Sequence, residues 1–308
     1  MSSGHSLDYW KSRQTLFLAP KAPGKGISEV RNFKRFCGQI FEIDYFLEIR
    51  ERGIIATERL IERTVDENGI NLISILFFGD IYQFPLELFL RLRRRARIIL
   101  WFYDDEQYFH THSKYYAQTA DAVATNDFSA VHAYQKIGVP AIYNSGVWIP
   151  REVLYPIDVP RDIDVSFLGD CRKNDRASLL SFLRANNIAV QTYGPGSAGG
   201  WFPESDLSKL YARTKVNLSF TKLDKLSWLN NDDPIINRSL GNKAPPFQAG
   251  AARSFCLTEY APFLEKCFEI GREIACFHDR ESLLDGIRYF LSHDEEREEM
   301  ARRAYEKV

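Results

Sequence analysis

The 308-residue chain sets 40 Lys and Arg against 41 Asp and Glu, a formal net charge of -1 that excludes the strongly basic surface of a nucleic-acid binder. With 45% hydrophobic and 26% charged residues it has the balance of two globular domains with full cores. No apolar run approaches the roughly 20 residues that span a bilayer, and the opening MSSGHSLDYWKS lacks the apolar stretch of a signal peptide.

Strand-length apolar runs then alternate with helical patterns. In the first half the expected strands are Thr15–Ala19, Gln39–Phe46, Leu72–Phe78, Ile98–Tyr103, Ala122–Thr125 and Ala141–Tyr143. Amphipathic stretches at Ile54–Val65, Pro85–Arg95 and Phe128–Ile137 fall between them. Strands that are apolar throughout, separated by helices, predict a parallel sheet covered on both faces. The proline-bearing stretch Ile149–Asp162 reads as a linker. The alternation restarts with strands at Val165–Leu168, Ala189–Tyr193, Val216–Phe220 and Ser254–Thr258, and helices at Arg176–Asn186, Ser205–Arg213, Arg280–Leu291 and from about Asp294. The expectation is an α/β chain of two doubly wound, Rossmann-like domains, residues 1–150 and 151–308, facing a cleft. Ligands of such sheets bind beyond the carboxyl ends of the strands.

Candidate chemistry sits at those strand ends. In the second half VSFLG ends at Gly169 and is followed by Asp170, Cys171, Arg172 and Lys173 before a helix, a junction that aims backbone N–H groups at an anion. Tyr193-Gly194-Pro195-Gly196 lets a base or ribose approach the backbone. The strand KVNLSF brings polar Asn217 and Ser219. Arg238 and Lys243 precede a small-residue helix expected to begin at Gln248-Ala249, where two cations and a helix N-terminus would neutralise a diphosphate without a metal. Gln248 has the chemistry to bond ribose hydroxyls.

These pieces resemble the carboxyl-terminal domain of bacterial spore-maturation-type glycosyltransferases, relatives of the GT-B superfamily. VSFLG, YG, NLSF, FQAGAARSFCLTEYAPFLEKCFEIGREIACF and the closing Glu/Arg-rich helix carry the resemblance over 165–308, while 1–150 matches in layout only, including WFYDD and GVWIP. The pattern places Lys243 and Phe247 as expected, but Pro245 stands for an Arg and Gln248 for a Glu. The resemblance implies transfer of a sugar from a nucleoside-diphosphate sugar to a glycan, lipid-linked or other hydroxyl acceptor, with no cofactor and no obligatory metal. It implies an enzyme of cell-surface polysaccharide biosynthesis, and the scattered cysteines and the missing signal peptide give the expectation of a cytoplasmic one. The alternatives are a non-catalytic nucleotide-sugar-binding or partner subunit, and an epimerase-like enzyme.

In the first half Asp104 and Asp105 follow the most apolar strand. One is the candidate base for the acceptor hydroxyl, or one caps a helix and the other is solvated. His110 and His112 lack a third metal ligand at a recognisable spacing. The loop Ala22–Gly26 is not a P-loop, though it is placed to meet acceptor or phosphate. Asp162-Ile163-Asp164 spells a metal motif of another transferase fold, but precedes a strand and is discounted. The basic run Arg91–Arg97 is a solvated helix end or a contact with anionic lipid that would hold the protein at the membrane's inner face. Cys37, Cys171, Cys256, Cys267 and Cys276 lack CxxC spacing and read as reduced thiols.

Overall fold

The structure, a computed structural model, describes residues 10–20, 37–77, 84–145, 151–173, 175–222 and 240–308. Arg238, the loop Ala22–Gly26 and the GVWIP segment's residues 146–150 lie outside the described residues. The chain divides into two compact units, Met1–Trp148 and Ile149–Val308.

The first unit is built on six parallel strands: β1 (Thr15–Leu18), β2 (Ile40–Ile43), β3 (Leu72–Phe77), β4 (Arg97–Phe102), β5 (Ala122–Thr125) and β6 (Ala141–Tyr143), in spatial order β2-β1-β3-β4-β5-β6. β3 is buried at all six residues because helices cover both faces, which is why its sequence shows no alternation. Leu16, Leu18, Ile73, Ile75 and Phe77 point into one core, and Phe17 and Leu76 into a smaller one on the other face. The expected strand Gln39–Phe46 stops at Ile43. Asp44 there accepts a 3.0 Å hydrogen bond from Leu47 N and caps a helix, α1 (Tyr45–Arg52). Next come α2 (Ile54–Glu67), burying Thr57, Ile61 and Val65 at helical spacing, and α3 (Leu86–Leu92). Beyond β4 the chain forms α4 (Asp105–Tyr108), a π-helical turn (Phe109–Ser113) and α5 (Lys114–Ala117). A helix α6 (Phe128–Lys136) links β5 to β6.

The second unit has five parallel strands: β7 (Ile163–Leu168), β8 (Val190–Tyr193), β9 (Thr214–Ser219), β10 (Cys256–Glu259) and β11 (Ala275–Phe277), in order β11-β10-β9-β7-β8. Helices α7 (Arg176–Ala185) and α10 (Arg280–Ser292) cover one face through Leu183, Leu283, Leu284 and Ile287. Helices α8 (Leu207–Arg213) and α9 (Ala244–Ala251) join a separate core through Tyr211 and Ala249. The closing helix α11 (Asp294–Lys307) packs on α9 so closely that a Cβ on Gly250 would stand 3.3 Å from Ala304 O.

The proline-bearing stretch is not a free tether where it is described. Val153 and Leu154 are buried in the second unit, and Ser208 Oγ donates to Val153 O at 2.7 Å. Arg161 donates to Ala212 O at 3.0 Å, Thr214 O at 3.1 Å and Glu298 at 2.8 Å. These bonds fasten residues 151–162 to the amino ends of the second sheet.

Candidate functional site

Because every strand of the second sheet runs the same way, Gly169, Tyr193, Ser219, Glu259 and Phe277 finish on one edge. The turns after β7 and β8 are locked to each other through backbone. Gly169 N donates to Tyr193 O and Cys171 N to Pro195 O, each at 2.9 Å. Gly194 has a φ of 108°, and a Cβ there would lie 2.5 Å from Gly169 O, so only glycine permits this approach. Pro195 is exposed and Tyr193 half-buried, both open to a ligand on this edge. Arg172 beside them is exposed, and its guanidinium forks onto Asp170 at 2.9 and 2.8 Å. That pairing holds the Asp170 carboxyl down at about 2.

The chain leaves β9 through Thr221 and Lys222 and returns at Leu240. An antiparallel bridge pairs Lys222 with Leu240, and Gly241 N donates to Thr221 O at 3.0 Å. This latch delivers Lys243 to the N-cap of α9, on the same edge. The sequence reading began the helix at Gln248. It begins four residues earlier, because Pro245 and Pro246 in the first turn need no intrahelical N–H. The same prolines remove two of the N–H donors by which a helix start holds an anion. Gln248 is thus inside the helix, and its Oε1 accepts from Tyr211 OH at 2.8 Å.

Several candidates serve the core. Asn217 is 3% exposed; its Nδ2 donates to Ser254 Oγ at 2.9 Å and Phe255 O at 3.0 Å, and its Oδ1 accepts from Ser166 Oγ at 3.1 Å. Ala249 is fully buried, and the Phe247 ring packs on Phe268 with centroids 5.0 Å apart. These three stabilise the unit instead of facing a ligand. Ser219 is buried at its strand end, with Oγ unpartnered among the described residues.

Glu259 is a candidate that the sequence reading did not single out. Its Oε2 accepts from Thr221 N at 2.9 Å, Thr221 Oγ1 at 3.1 Å and Lys222 N at 3.3 Å. Lys222 Nζ lies 3.9 Å from its Oε1 and pairs with Asp175. A cavity of about 370 Å³ opens beside Lys222, Glu259 and the start of α10. The sequence signal was an acidic residue closing an otherwise apolar strand, CLTE.

In the first unit β4 delivers the Asp pair to its carboxyl end as expected. Asp104 takes the left-handed conformation, φ 55°, and its N–H donates to Asn126 Oδ1 at 3.0 Å. Asp105 is neither solvated nor open to an acceptor: it is 2% exposed, and its Oδ2 accepts from Thr125 Oγ1 at 2.7 Å and Tyr134 OH at 2.8 Å. Burial pushes its carboxyl up to about 6. His112 is buried between Phe77 and Tyr116, ring centroids 5.0 and 4.7 Å away, and desolvation pushes its imidazole down to about 4. Among the described residues no cluster of three metal-ligating side chains is found. Asp162 and Asp164 are occupied by Arg213 and Lys215, at 2.6 Å each.

Four of the five arginines in the basic run pair with acids of their own unit. Arg91 pairs with Glu58 and Glu62, Arg95 with Asp66, and Arg93 and Arg97 with Asp121. No helix among the described residues is long and apolar enough to cross a membrane.

Two parallel sheets of this kind, each wound with helices, match solved structures over almost the whole chain. The fold is GT-B. HepE from Anabaena, solved in complex with UDP-glucose, superposes with a TM-score of 0.61 at 11% identity, covering 96% of this chain and 94% of that one. A glycosyltransferase from Rickettsia africae gives 0.61 at 10% identity, covering 96% and 93%. Sucrose-phosphate synthase from Thermosynechococcus elongatus gives 0.61 at 11%, covering 95% and 83%. Within the GT-B fold, residues 172–308 match the family described as Glycosyl transferase-like. No curated protein matches the chain in sequence.

Proposed function

We propose that the chain is a glycosyltransferase that takes a sugar from a nucleoside-diphosphate sugar held by the second unit and passes it to a hydroxyl acceptor. The observation that carries this reading is the family match over 172–308, which spans the β8 turn, α9 and Glu259 on one sheet edge and begins at Arg172. HepE, whose fold this chain shares, is described in complex with UDP-glucose and with UDP. Arg172 and Lys243 are the groups for the diphosphate. Tyr193–Pro195 are the groups for the nucleoside, while Gln248, inside α9, is already bonded to Tyr211. Charge departing with the leaving diphosphate is stabilised by these fixed donors. Asp104, not the buried Asp105, is the candidate acceptor base. The spore-maturation-type relationship and a role in cell-surface polysaccharide synthesis are the finer form of the same reading.

A second reading, a nucleotide-binding partner subunit without turnover, draws on Pro245 and Gln248, where the resemblance expects Arg and Glu. Thermal-shift measurements against UDP, GDP, ADP, CMP and dTDP, with and without magnesium, test the site, since a ligand of the native state raises the midpoint. A shift with one nucleotide, lost in Lys243→Ala, supports the donor site. Binding without hydrolysis or transfer of the matching sugar nucleotide turns the reading to the subunit. No shift with any nucleotide removes both.

A further inference from the structure

We propose that Trp201 is the stacking platform for the nucleobase of the ligand held on the second sheet's edge. The inference rests on the donor reading above and adds a residue to it. Trp201 is 67% exposed, the most exposed large apolar side chain among the described residues. Its neighbour Phe202 has its ring set against that of Tyr193, centroids 4.8 Å apart and 67° between planes.

The loop that carries the indole is braced from within. Gly194 N donates to Gly200 O at 2.6 Å, Gly199 N to Thr192 O at 3.0 Å, and Ser197 Oγ to Gly194 O at 2.6 Å. Gly194, Gly196 and Gly200 all take positive φ, of 108°, 72° and 64°. A Cβ at Gly196 would meet Arg172 Cγ at 2.4 Å, so the loop also lies against the cation-bearing turn. A braced loop presents the indole at little entropic cost on binding.

Strand order fixes which end of the ligand lies here. β7, with Arg172 at its end, is flanked by β9 and by β8, and β8 is the sheet's edge strand. A diphosphate held at the β7 turn has its two ends directed along the edge, one towards β8 and one towards Glu259 on β10. The β8 side offers an aromatic face and backbone, suited to a flat base. The β10 side offers carboxylate, ammonium and hydroxyl, suited to a sugar. Stacking on an indole accepts any base, because each has a π face. Trp201 therefore adds affinity for nucleosides and leaves the choice of base to the backbone of Tyr193–Pro195.

Titrating the full-length wild type, Trp201→Phe and Trp201→Ala with UDP, ADP, GDP and inorganic pyrophosphate, by calorimetry and tryptophan emission, tests this. The expected result is quenching of wild-type emission by a nucleoside diphosphate, near-native affinity without that quenching in Trp201→Phe, and roughly tenfold or greater weakening in Trp201→Ala. Pyrophosphate should bind all three proteins equally. Unchanged nucleotide affinity in Trp201→Ala overturns the assignment, as does wild-type protein that binds pyrophosphate as well as any nucleotide. If the wild type binds neither, the donor reading itself fails, a result separate from either of those.

Discussion

Tyr134, on α6, donates its hydroxyl to Asp105 Oδ2 at 2.8 Å, tying the helix after β5 to the residue that opens α4. The burial that makes this bond dry raises the Asp105 carboxyl to about 6, while His112 a few residues on is lowered to about 4. The two act on stability in opposite directions. Between the ordinary carboxylate range and about 6, folded Asp105 keeps a proton the unfolded chain releases, so stability falls as pH rises. Between about 4 and the ordinary imidazole range the unfolded chain binds a proton that folded His112 refuses, so stability rises with pH. Wild type should show a shallow net dependence from pH 4 to 6. Asp105→Asn should show stability rising with pH there, and His112→Phe stability falling, each by up to about 3 kcal/mol. Urea unfolding at half-unit pH steps measures this, and parallel slopes in all three proteins would refute it.

Asn217 joins β9 to β7 and to the residues that lead into β10 through side-chain bonds. Asn217→Ala leaves Ser166 Oγ, Ser254 Oγ and Phe255 O with lost partners, and should cost about 2–4 kcal/mol. Nucleotide affinity at a temperature where the variant remains folded should be unchanged. A selective loss of affinity with native stability would return Asn217 to the ligand.

Gly194→Ala and Gly53→Ala form a matched pair. Both glycines have positive φ, 108° and 80°, but only Gly194 faces a backbone oxygen 2.5 Å from the added Cβ, whereas nothing lies within 4 Å at Gly53. Gly53→Ala should lose about 1 kcal/mol from backbone strain. Gly194→Ala should lose at least about 2 kcal/mol and much of its nucleotide affinity, because the two turns must separate. Equal losses in denaturant midpoint would show that φ alone matters.

Replacing Pro245 tests how the α9 start treats an anion. Pro245→Arg restores one N–H and adds a cation next to Lys243, and should tighten nucleoside-diphosphate binding by roughly tenfold. Pro245→Ala, which restores only the N–H, should gain less. Affinity unchanged in both variants would move the diphosphate away from this helix.

Much of the fold was legible because buried parallel strands advertise themselves: LISILFF and IILWFY have no reading as surface. β11 was not, since three residues of ACF carry no period. The π turn at Phe109–Ser113 was equally hidden, because its sequence, FHTHS, has neither cap nor breaker. At the site, glycine and cation positions followed from strand-end logic, and Gly194 stands where that logic put it. Asn217 and Asp105 misled because polar residues at strand ends look identical in sequence whether they face a ligand or bind the core. Only the partners decide: Ser166, Ser254 and Phe255 for one, Thr125 and Tyr134 for the other.

The bridge between Lys222 and Leu240 ties the end of one strand to the start of a helix that follows it in the chain. Because Gly241 N is bonded back to Thr221 O, the residues that leave β9 and those that enter α9 are held to each other by backbone. Lys243 therefore takes its place on the carboxyl edge from a backbone bond made two residues before it, so that β9 itself positions the entry into α9.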